Sequence, residues 1–114
     1  MPTHDLRPRE LNATADRLCN VALDQAIDLR HNFIPDIEDR IWQGVAIQVY
    51  SDGGLRGTKG AAAYAVYLID PAEPNILELA VVDALYLQNQ DSAFALEVIA
   101  ADRAISEVLR ISGM

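Results

Sequence analysis

Apolar residues recur at helical spacing near the start of the chain. On a helical wheel with Asn12 as N-cap, the small and apolar side chains form one stripe, made of Leu11, Ala15, Leu18, Cys19, Ala22, Ala26 and Leu29. The pattern predicts an amphipathic helix from about Leu11 to Arg30. It breaks over residues 32–44, where Pro35 and several acids predict a linker, with Trp42 expected to dock on the second half of the chain.

Strand-like segments follow the linker. Val45 to Ser51 alternates apolar and polar residues, and a glycine-rich turn leads to the small and β-branched run from Ala61 to Ile69. Ile76 to Leu87 favours a third strand, although its leucine and alanine content would also suit a helix. Asp91 or Ser92 then caps a helix that continues to about Arg110. The predicted fold class is α/β in an α+β arrangement, with an N-terminal helix, a three-stranded antiparallel sheet and a C-terminal helix.

Composition and charge narrow the class of protein. A chain of 114 residues with 51% hydrophobic residues and a mean hydropathy of +0.07 predicts one small globular domain. No apolar run approaches the roughly 20 residues of a membrane span, and the polar N-terminus lacks a secretory signal, so we expect an intracellular protein in the cytoplasm or nucleus and no membrane partner. The net charge of −8 repels phosphate, so any nucleic-acid partner must be bound through local features or bound cations.

Two acids occupy positions where hydrophobic residues are expected. On the wheel of the last helix, Glu97 points away from a polar arc that contains Asp102, Arg103, Ser106, Glu107 and Arg110. A lone buried carboxylate costs several kcal/mol, so Glu97 is expected to be protonated, paired, or close to a metal or water. Asp52 ends the first strand before Gly53 and Gly54, where missing side chains let a substrate approach, although Asp-Gly is also a common hairpin turn.

Three segments carry a resemblance to one family. The run Ile47–Gly54, followed by Gly60–Val66, resembles the first hairpin of the ribonuclease H (type 1) family, whose first strand ends in a (T/S)DG motif. Ser92–Glu97 resembles the start of that family's first helix, which carries the second metal-binding acid. Arg7–Leu18 contains Arg-Glu-x-Asn-x-x-Ala-Asp, which resembles the family's last helix and its final acid.

The resemblance implies a fold and an order of segments. Residues 1–31 would correspond to the C-terminal helix of a ribonuclease H domain, 32–44 to a linker, and 45–114 to the N-terminal half of a ribonuclease H-like domain. The order is rotated, and no segment after Glu97 resembles a fourth strand ending in aspartate. Two interpretations stay open: a circularly rearranged, truncated domain, or a fragment that spans two tandem copies, as in a retroelement polyprotein.

The resemblance also implies a metal-dependent site. Asp52, Glu97 and Asp16 would ligate Mg²⁺, or Mn²⁺ in its place, and serve as the catalytic acids of an endonuclease that hydrolyses the RNA strand of RNA–DNA hybrids. Taken alone, Asp16 lies at the edge of its helix stripe, where a solvated acid is unremarkable.

Substrate contacts are expected in the turn after Asp52. Gly53 and Gly54 would border the substrate, and Arg56 and Lys59 would contact phosphate, although a role as solvated turn residues is equally compatible. The missing fourth acid predicts a weakened activity.

Two alternatives to an active enzyme stay open. One is a non-catalytic, retroelement-derived module that binds nucleic acid or a partner, and the other is a small α/β protein whose acids are structural. A sheet that ends at its first strand also leaves an exposed edge, which predicts homodimerisation or marginal stability.

Overall fold

The structure, a computed structural model, describes the backbone of residues 7–113 and the side chains of residues 12–113. Within these ranges the chain is a mixed α+β protein with one open antiparallel sheet. Its elements in chain order are α1 (Arg7–Gln25), β1 (Leu29–Asn32), α2 (Ile37–Trp42), β2 (Ala46–Arg56), β3 (Lys59–Ile69), β4 (Leu77–Leu87) and α3 (Ala93–Ile111).

The sheet has four strands in the order β1-β4-β3-β2. The hairpin of β2 and β3 runs in register from Ala46 opposite Ile69 to Arg56 opposite Lys59. The three predicted strands are present, but β2 continues through Asp52 and the two glycines to Arg56, so the prediction that Asp52 ends the strand before a glycine-rich turn is wrong. The predicted strand count is also wrong because β1 adds a fourth strand beside β4. The outer edge of β2 has no strand partner in the described part of the chain, as expected for a sheet that ends there.

The predicted boundaries of the first helix and the linker are also wrong. Helix α1 begins at Arg7 and not at Asn12, and Pro8 suits its first turn because the N–H groups there need no intrahelical acceptor. The helix ends at Gln25 because Ala26 adopts a left-handed φ of 55°, and the N–H of Ile27 then bonds the carbonyl of Ala22 at 3.3 Å. Residues 32–44 therefore contain the end of β1 and all of α2.

Helices cover both faces of the sheet. Helix α1 packs on one face, where three of its buried side chains, Cys19, Ala22 and Leu23, contact small residues of the strands: Ala61, Ala63 and Ala84. Alanine side chains in β3 and β4 let the helix approach the sheet closely. Helices α2 and α3 cover the opposite face, around a core of Tyr64, Val66, Leu68, Val81, Ala104 and Ile111. No helix in the described residues is long and apolar enough to cross a membrane.

Helix α3 reverses two expectations about buried acids. Ser92 caps it as predicted, with its Oγ accepting the N–H of Ala95 at 3.1 Å. Glu97, expected on the buried side, is exposed, whereas Glu107, placed on the polar arc, is only 6% exposed. Trp42 is 86% exposed, so the expectation that it docks on the second half of the chain is wrong.

Candidate functional site

Two of the three predicted acids meet at one position of the sheet. Asp52 lies in β2 opposite Ala63, on the face that α1 covers, and Asp16 on α1 is within hydrogen-bonding reach of its carboxyl group. Burial, then the hydrogen bond and negative charge of Asp16, raise the pKa of Asp52 above its usual value. The chain thus brings together two acids that are separated by the whole of β1 and α2.

Cys19 lies directly beneath this pair. Its thiol is 2% exposed and donates to the backbone carbonyl of Asp52 at 3.3 Å. Burial, followed by the charges of Asp52 and Asp16, raises the pKa of Cys19 to about 12. The cysteine is therefore a protonated packing residue at neutral pH, and its backbone contact fixes the position of α1 on β2.

Glu97 approaches from the other side of the strand. Its backbone packs on Gly53, where an added Cβ would lie 2.6 Å from the backbone nitrogen of Glu97. The charge of Glu97 also raises the pKa of Asp52, as the smallest of the contributing causes. Asp52 and Gly53 point to opposite faces because neighbouring strand residues alternate. The structure therefore places Glu97 across the edge strand from the Asp16–Asp52 pair.

The predicted substrate-binding residues have local partners. The space above Gly53 is filled by α3, and a Cβ at Gly54 would meet Leu23 and Cys19 of α1 at 3.5 and 3.6 Å. Arg56 forms an ion pair with Asp24 of α1 and donates to the Oδ1 of Asn20 at 3.0 Å. Lys59 is exposed in the hairpin. Gly53 and Gly54 therefore let α3 and α1 pack closely on the two faces of β2, and Arg56 is held against α1.

The three predicted acids do not form a complete set of metal ligands. Within the described residues, no three His, Cys, Asp or Glu side chains converge closely enough to hold a metal ion. Two paired carboxylates still suit Mg²⁺, which commonly uses one or two protein carboxylates and keeps several waters. The donors at Asp16 and Asp52 therefore fit one hydrated cation, whereas Glu97 stands apart from them.

A second group of charged residues was missed by the sequence reasoning. Asp83 of β4 and Glu107 of α3 are 4% and 6% exposed, and both contact Arg30 of β1 at 3.0 Å. Arg103 reaches Asp83 at 2.6 Å, and Arg110 reaches Glu107 at 2.7 Å. An available signal was Asp83 itself, which is an acid within the apolar run from Val81 to Leu85.

Hydrogen bonds complete this group of charged residues. Arg30 also donates to the hydroxyl of Tyr64 at 3.0 Å. Burial alone would raise the pKa of Glu107, but hydrogen bonds from Arg110 and Arg30 lower it below its usual value. We call Arg30, Asp83, Arg103, Glu107 and Arg110 the arginine cluster. Its two buried acids are each held between two arginines.

Comparison with protein-family models, with curated proteins and with solved structures finds no match to this chain.

Proposed function

We propose that this chain is a ribonuclease H-like, Mg²⁺-dependent endonuclease that hydrolyses the RNA strand of RNA–DNA hybrids, with an activity weakened by a missing metal-binding aspartate. The observation that carries the proposal is the proximity of Asp16 to Asp52, which raises the pKa of Asp52 and brings together two acids from distant segments at the edge strand of the sheet. Like charges in contact are costly without a cation, so the pair is most easily explained as a ligand pair. The proposed location is intracellular, where such hybrids occur.

The roles of the residues follow from their positions. Asp16 and Asp52 would hold the cation, with Mn²⁺ able to replace Mg²⁺, and Glu97 would orient water or substrate from the other side of β2. When bound, the cation would polarise a phosphate oxygen and increase the acidity of a bound water. Lys59, exposed in the hairpin, would contact substrate phosphate, whereas Arg56 would first have to leave Asp24. The net charge of −8 makes local positive charge a requirement for binding.

Cleavage of an end-labelled RNA–DNA hybrid tests this proposal directly. We expect slow, Mg²⁺-dependent cleavage by the wild-type chain and a loss of at least a hundredfold in Asp52→Asn and Asp16→Asn. Glu97→Gln should also reduce activity, and Asp102→Asn is its matched control because it removes the same charge from the exposed side of α3. Equal activity in all four variants would refute the assigned site.

Cation binding is a separate readout for a chain with little activity. Mg²⁺ should raise the thermal stability of the wild-type chain, because a ligand that binds only the folded state stabilises it. The shift should disappear in Asp52→Asn. An equal shift in Asp52→Asn and wild type would contradict cation binding at the Asp16–Asp52 pair.

The second candidate function is a non-catalytic module that binds a partner or a second copy through the edge of the sheet. Strand β2 has 11 residues and an unpaired outer edge in the described part of the chain. Four apolar residues on the outer side of α3, which packs on this strand, are exposed: Phe94, Val98, Ile105 and Leu109. An open strand beside an apolar helix surface favours pairing.

The oligomeric state distinguishes this candidate from a monomer. We expect a concentration-dependent dimer in sedimentation equilibrium, and Val98→Glu combined with Ile105→Glu should shift it to monomer. Ile76→Glu is the matched control because Ile76 is 59% exposed in the turn before β4, away from this surface. A monomer at all concentrations, or a dimer unaffected by the α3 variant, would reject the self-association.

A further inference from the structure

An apolar stripe runs along the outer side of α3. It consists of the small Ala101 and the four exposed residues Phe94, Val98, Ile105 and Leu109. We call these five residues the outer stripe. They are separate from the buried side of the helix, which runs through Leu96, Ala100, Ala104, Glu107 and Ile111. A continuous exposed apolar surface of this kind marks an interaction site.

The spacing of the outer stripe suits an α-helix as its partner. From Phe94 onward, the stripe residues follow one another at intervals of four, three, four and four positions. Intervals of three and four are those of a coiled-coil seam, in which side chains of one helix enter the gaps of the other. Ala101 is small and lies in the middle, so it leaves such a gap. The stripe therefore favours a helix laid along α3.

Trp42 extends the outer stripe beyond the end of α3. A pocket of about 260 Å³ is lined by Ile41, Trp42 and Ser112. Ser112 comes three positions after Leu109, so the pocket continues the stripe. A tryptophan that is 86% exposed is unusual on a free surface, and tryptophan is enriched among the residues that anchor interfaces. The surface thus consists of a stripe with an anchor site at its C-terminal end.

Exposed acids border this surface. On the helical wheel of α3, Glu97 lies on one side of the outer stripe and Asp102 on the other. Asp39 lies one turn before Trp42 on α2. All three acids are exposed, and none of them forms an ion pair within the described residues.

The arginines near the stripe do not neutralise these acids. Each of the four arginines in β1, α2 and α3 already contacts another acid at 2.6 to 3.0 Å: Arg30, Arg40, Arg103 and Arg110. The same three elements, with the two strand acids that they contact, contain seven acids: Glu38, Asp39, Glu78, Asp83, Glu97, Asp102 and Glu107. Four positive charges against seven negative charges leave a net charge of about −3 when all are ionised.

Lys59 does not reach the stripe. An added Cβ at the neighbouring Gly60 would meet Leu96 of α3, so Gly60 faces α3. Lys59 points to the opposite face of the sheet because neighbouring strand residues alternate. The border of the outer stripe is therefore negative, as is the whole chain with its net charge of −8.

A second copy of the chain fits this surface less well than a basic helix does. Asp102 lies beside the middle of the stripe, so an antiparallel pair of α3 helices would bring the two Asp102 carboxylates close together. A helix with lysine or arginine on both sides of its apolar face would instead meet Glu97 and Asp102 with opposite charge. We therefore expect a basic helix to displace a second copy from the stripe.

We propose that the outer stripe binds a basic amphipathic helix of a partner protein, which lies along α3 with one end beside Trp42. The proposal deepens the second candidate function and rests on it, because it names the kind of partner that the exposed side of α3 takes. The apolar face of the partner covers the stripe, and its cationic side chains lie beside Glu97 and Asp102. About four turns of helix match the distance from Phe94 to Leu109.

Isothermal titration of the full chain with a synthetic helix tests the proposal. The probe is a peptide of about 18 residues, with leucines at intervals of three and four and lysines elsewhere. We expect one peptide to bind per chain, about tenfold more tightly than a shuffled peptide of the same composition. A peptide with glutamate in place of lysine should not bind. The emission of Trp42, the single tryptophan, should shift to shorter wavelength because the peptide covers it.

Two pairs of variants locate the bound peptide. Val98→Glu with Ile105→Glu should weaken binding about tenfold although it adds negative charge, whereas Ile76→Glu should bind like the wild type. Asp102→Lys should weaken binding about fivefold. Glu73→Lys is its matched control, because it reverses another exposed acid in the turn before β4. Every substituted side chain is exposed, and far-UV circular dichroism checks that each variant is folded.

Several results would overturn the proposal. These are equal binding of the amphipathic and shuffled peptides, equal binding of the lysine and glutamate peptides, unchanged Trp42 emission at saturation, and equal effects of Asp102→Lys and Glu73→Lys. A dimer that requires the outer stripe, without any peptide binding, would show that a second copy covers the stripe. That result would overturn this proposal and leave the second candidate function in place. Peptide binding by a chain that stays monomeric would support the proposal and reject only the self-association.

Discussion

Gly53 and Gly54 are adjacent residues of one strand, yet we expect opposite responses to the same substitution. A Cβ added at Gly53 would lie 2.6 Å from both the nitrogen of Glu97 and the carbonyl carbon of Leu96. These are backbone atoms of α3 and cannot turn away. To restore an ordinary contact of 3.4 Å, the start of α3 must retreat from β2 by roughly 0.8 Å.

The retreat of α3 sets the size of the effect. Leu96 and Ala100 are fully buried beneath this part of the helix, and a gap of that size forfeits about a quarter to a half of each dispersion contact. Overpacking substitutions cost about 1–3 kcal/mol, and we expect Gly53→Ala to reach ~3 kcal/mol. A domain of this size has a free energy of unfolding of only about 5–15 kcal/mol, so the loss is easily measured.

Gly54→Ala is the matched control. Its added methyl group would meet Leu23 and Cys19 at 3.5 and 3.6 Å, which are ordinary contacts, and neither glycine has a positive φ. We therefore expect a change within ~0.5 kcal/mol, or a small gain from lower entropy of the unfolded chain. Urea unfolding followed by far-UV circular dichroism measures both variants. An equal loss in both would refute the close approach of α3 to β2.

Four other substitutions, one of them a control, test the charged residues. Asp83→Ala should cost about 3–5 kcal/mol because it leaves Arg30 and Arg103 without their acid, whereas Glu78→Ala, in an exposed pair with Arg40, should cost less than about 1 kcal/mol by urea unfolding. Asp52→Asn should stabilise the chain at neutral pH. The pKa of Asp52 is raised in the folded state, so ionisation of Asp52 disfavours folding and the wild type loses stability as the pH rises through that pKa. The stability gained by the variant should therefore vanish when unfolding is measured at low pH. Glu107→Gln should show the reverse dependence and lose stability at neutral pH. The lowered pKa of Glu107 gives the wild type stability that is present at neutral pH and lost as the pH falls below about 4. If the acid side of the pH–stability curve is the same in the variant and the wild type, the pairing of Glu107 with Arg30 and Arg110 is contradicted.

The local pattern of apolar and polar residues was sufficient to predict most of the sheet and α3, but it could not predict β1. The strand Leu29–Asn32 has one partly buried residue and three exposed ones, so it has no alternation to detect. It forms because Arg30 lies opposite Asp83 and pairs with it across a separation of 53 residues. No local pattern contains that information.

The misplacement of Glu97 has a different physical cause. The exposed residues Phe94, Val98, Ile105 and Leu109 widen the apparent apolar side of α3, so that Glu97 falls near its middle on the wheel. The true buried face is narrower and runs through Leu96, Ala100, Ala104, Glu107 and Ile111. Apolar residues that are exposed on the outer surface of α3 therefore resemble core residues in the sequence. The Asp16–Asp52 contact was expected only through the resemblance, because Asp16 alone is an ordinary exposed acid.

The position of β2 makes the two candidate functions compete. Helix α1 covers one face of this strand and α3 covers the other, so a ligand of Asp52 must approach from the outer edge. A second copy that pairs with β2 would occupy the same edge and exclude a nucleic acid strand. If both occur, cleavage per chain should fall as protein concentration rises through the dimerisation range, and Val98→Glu with Ile105→Glu should abolish that fall. Constant activity per chain across the range would show that the dimer leaves the edge beside Asp52 open.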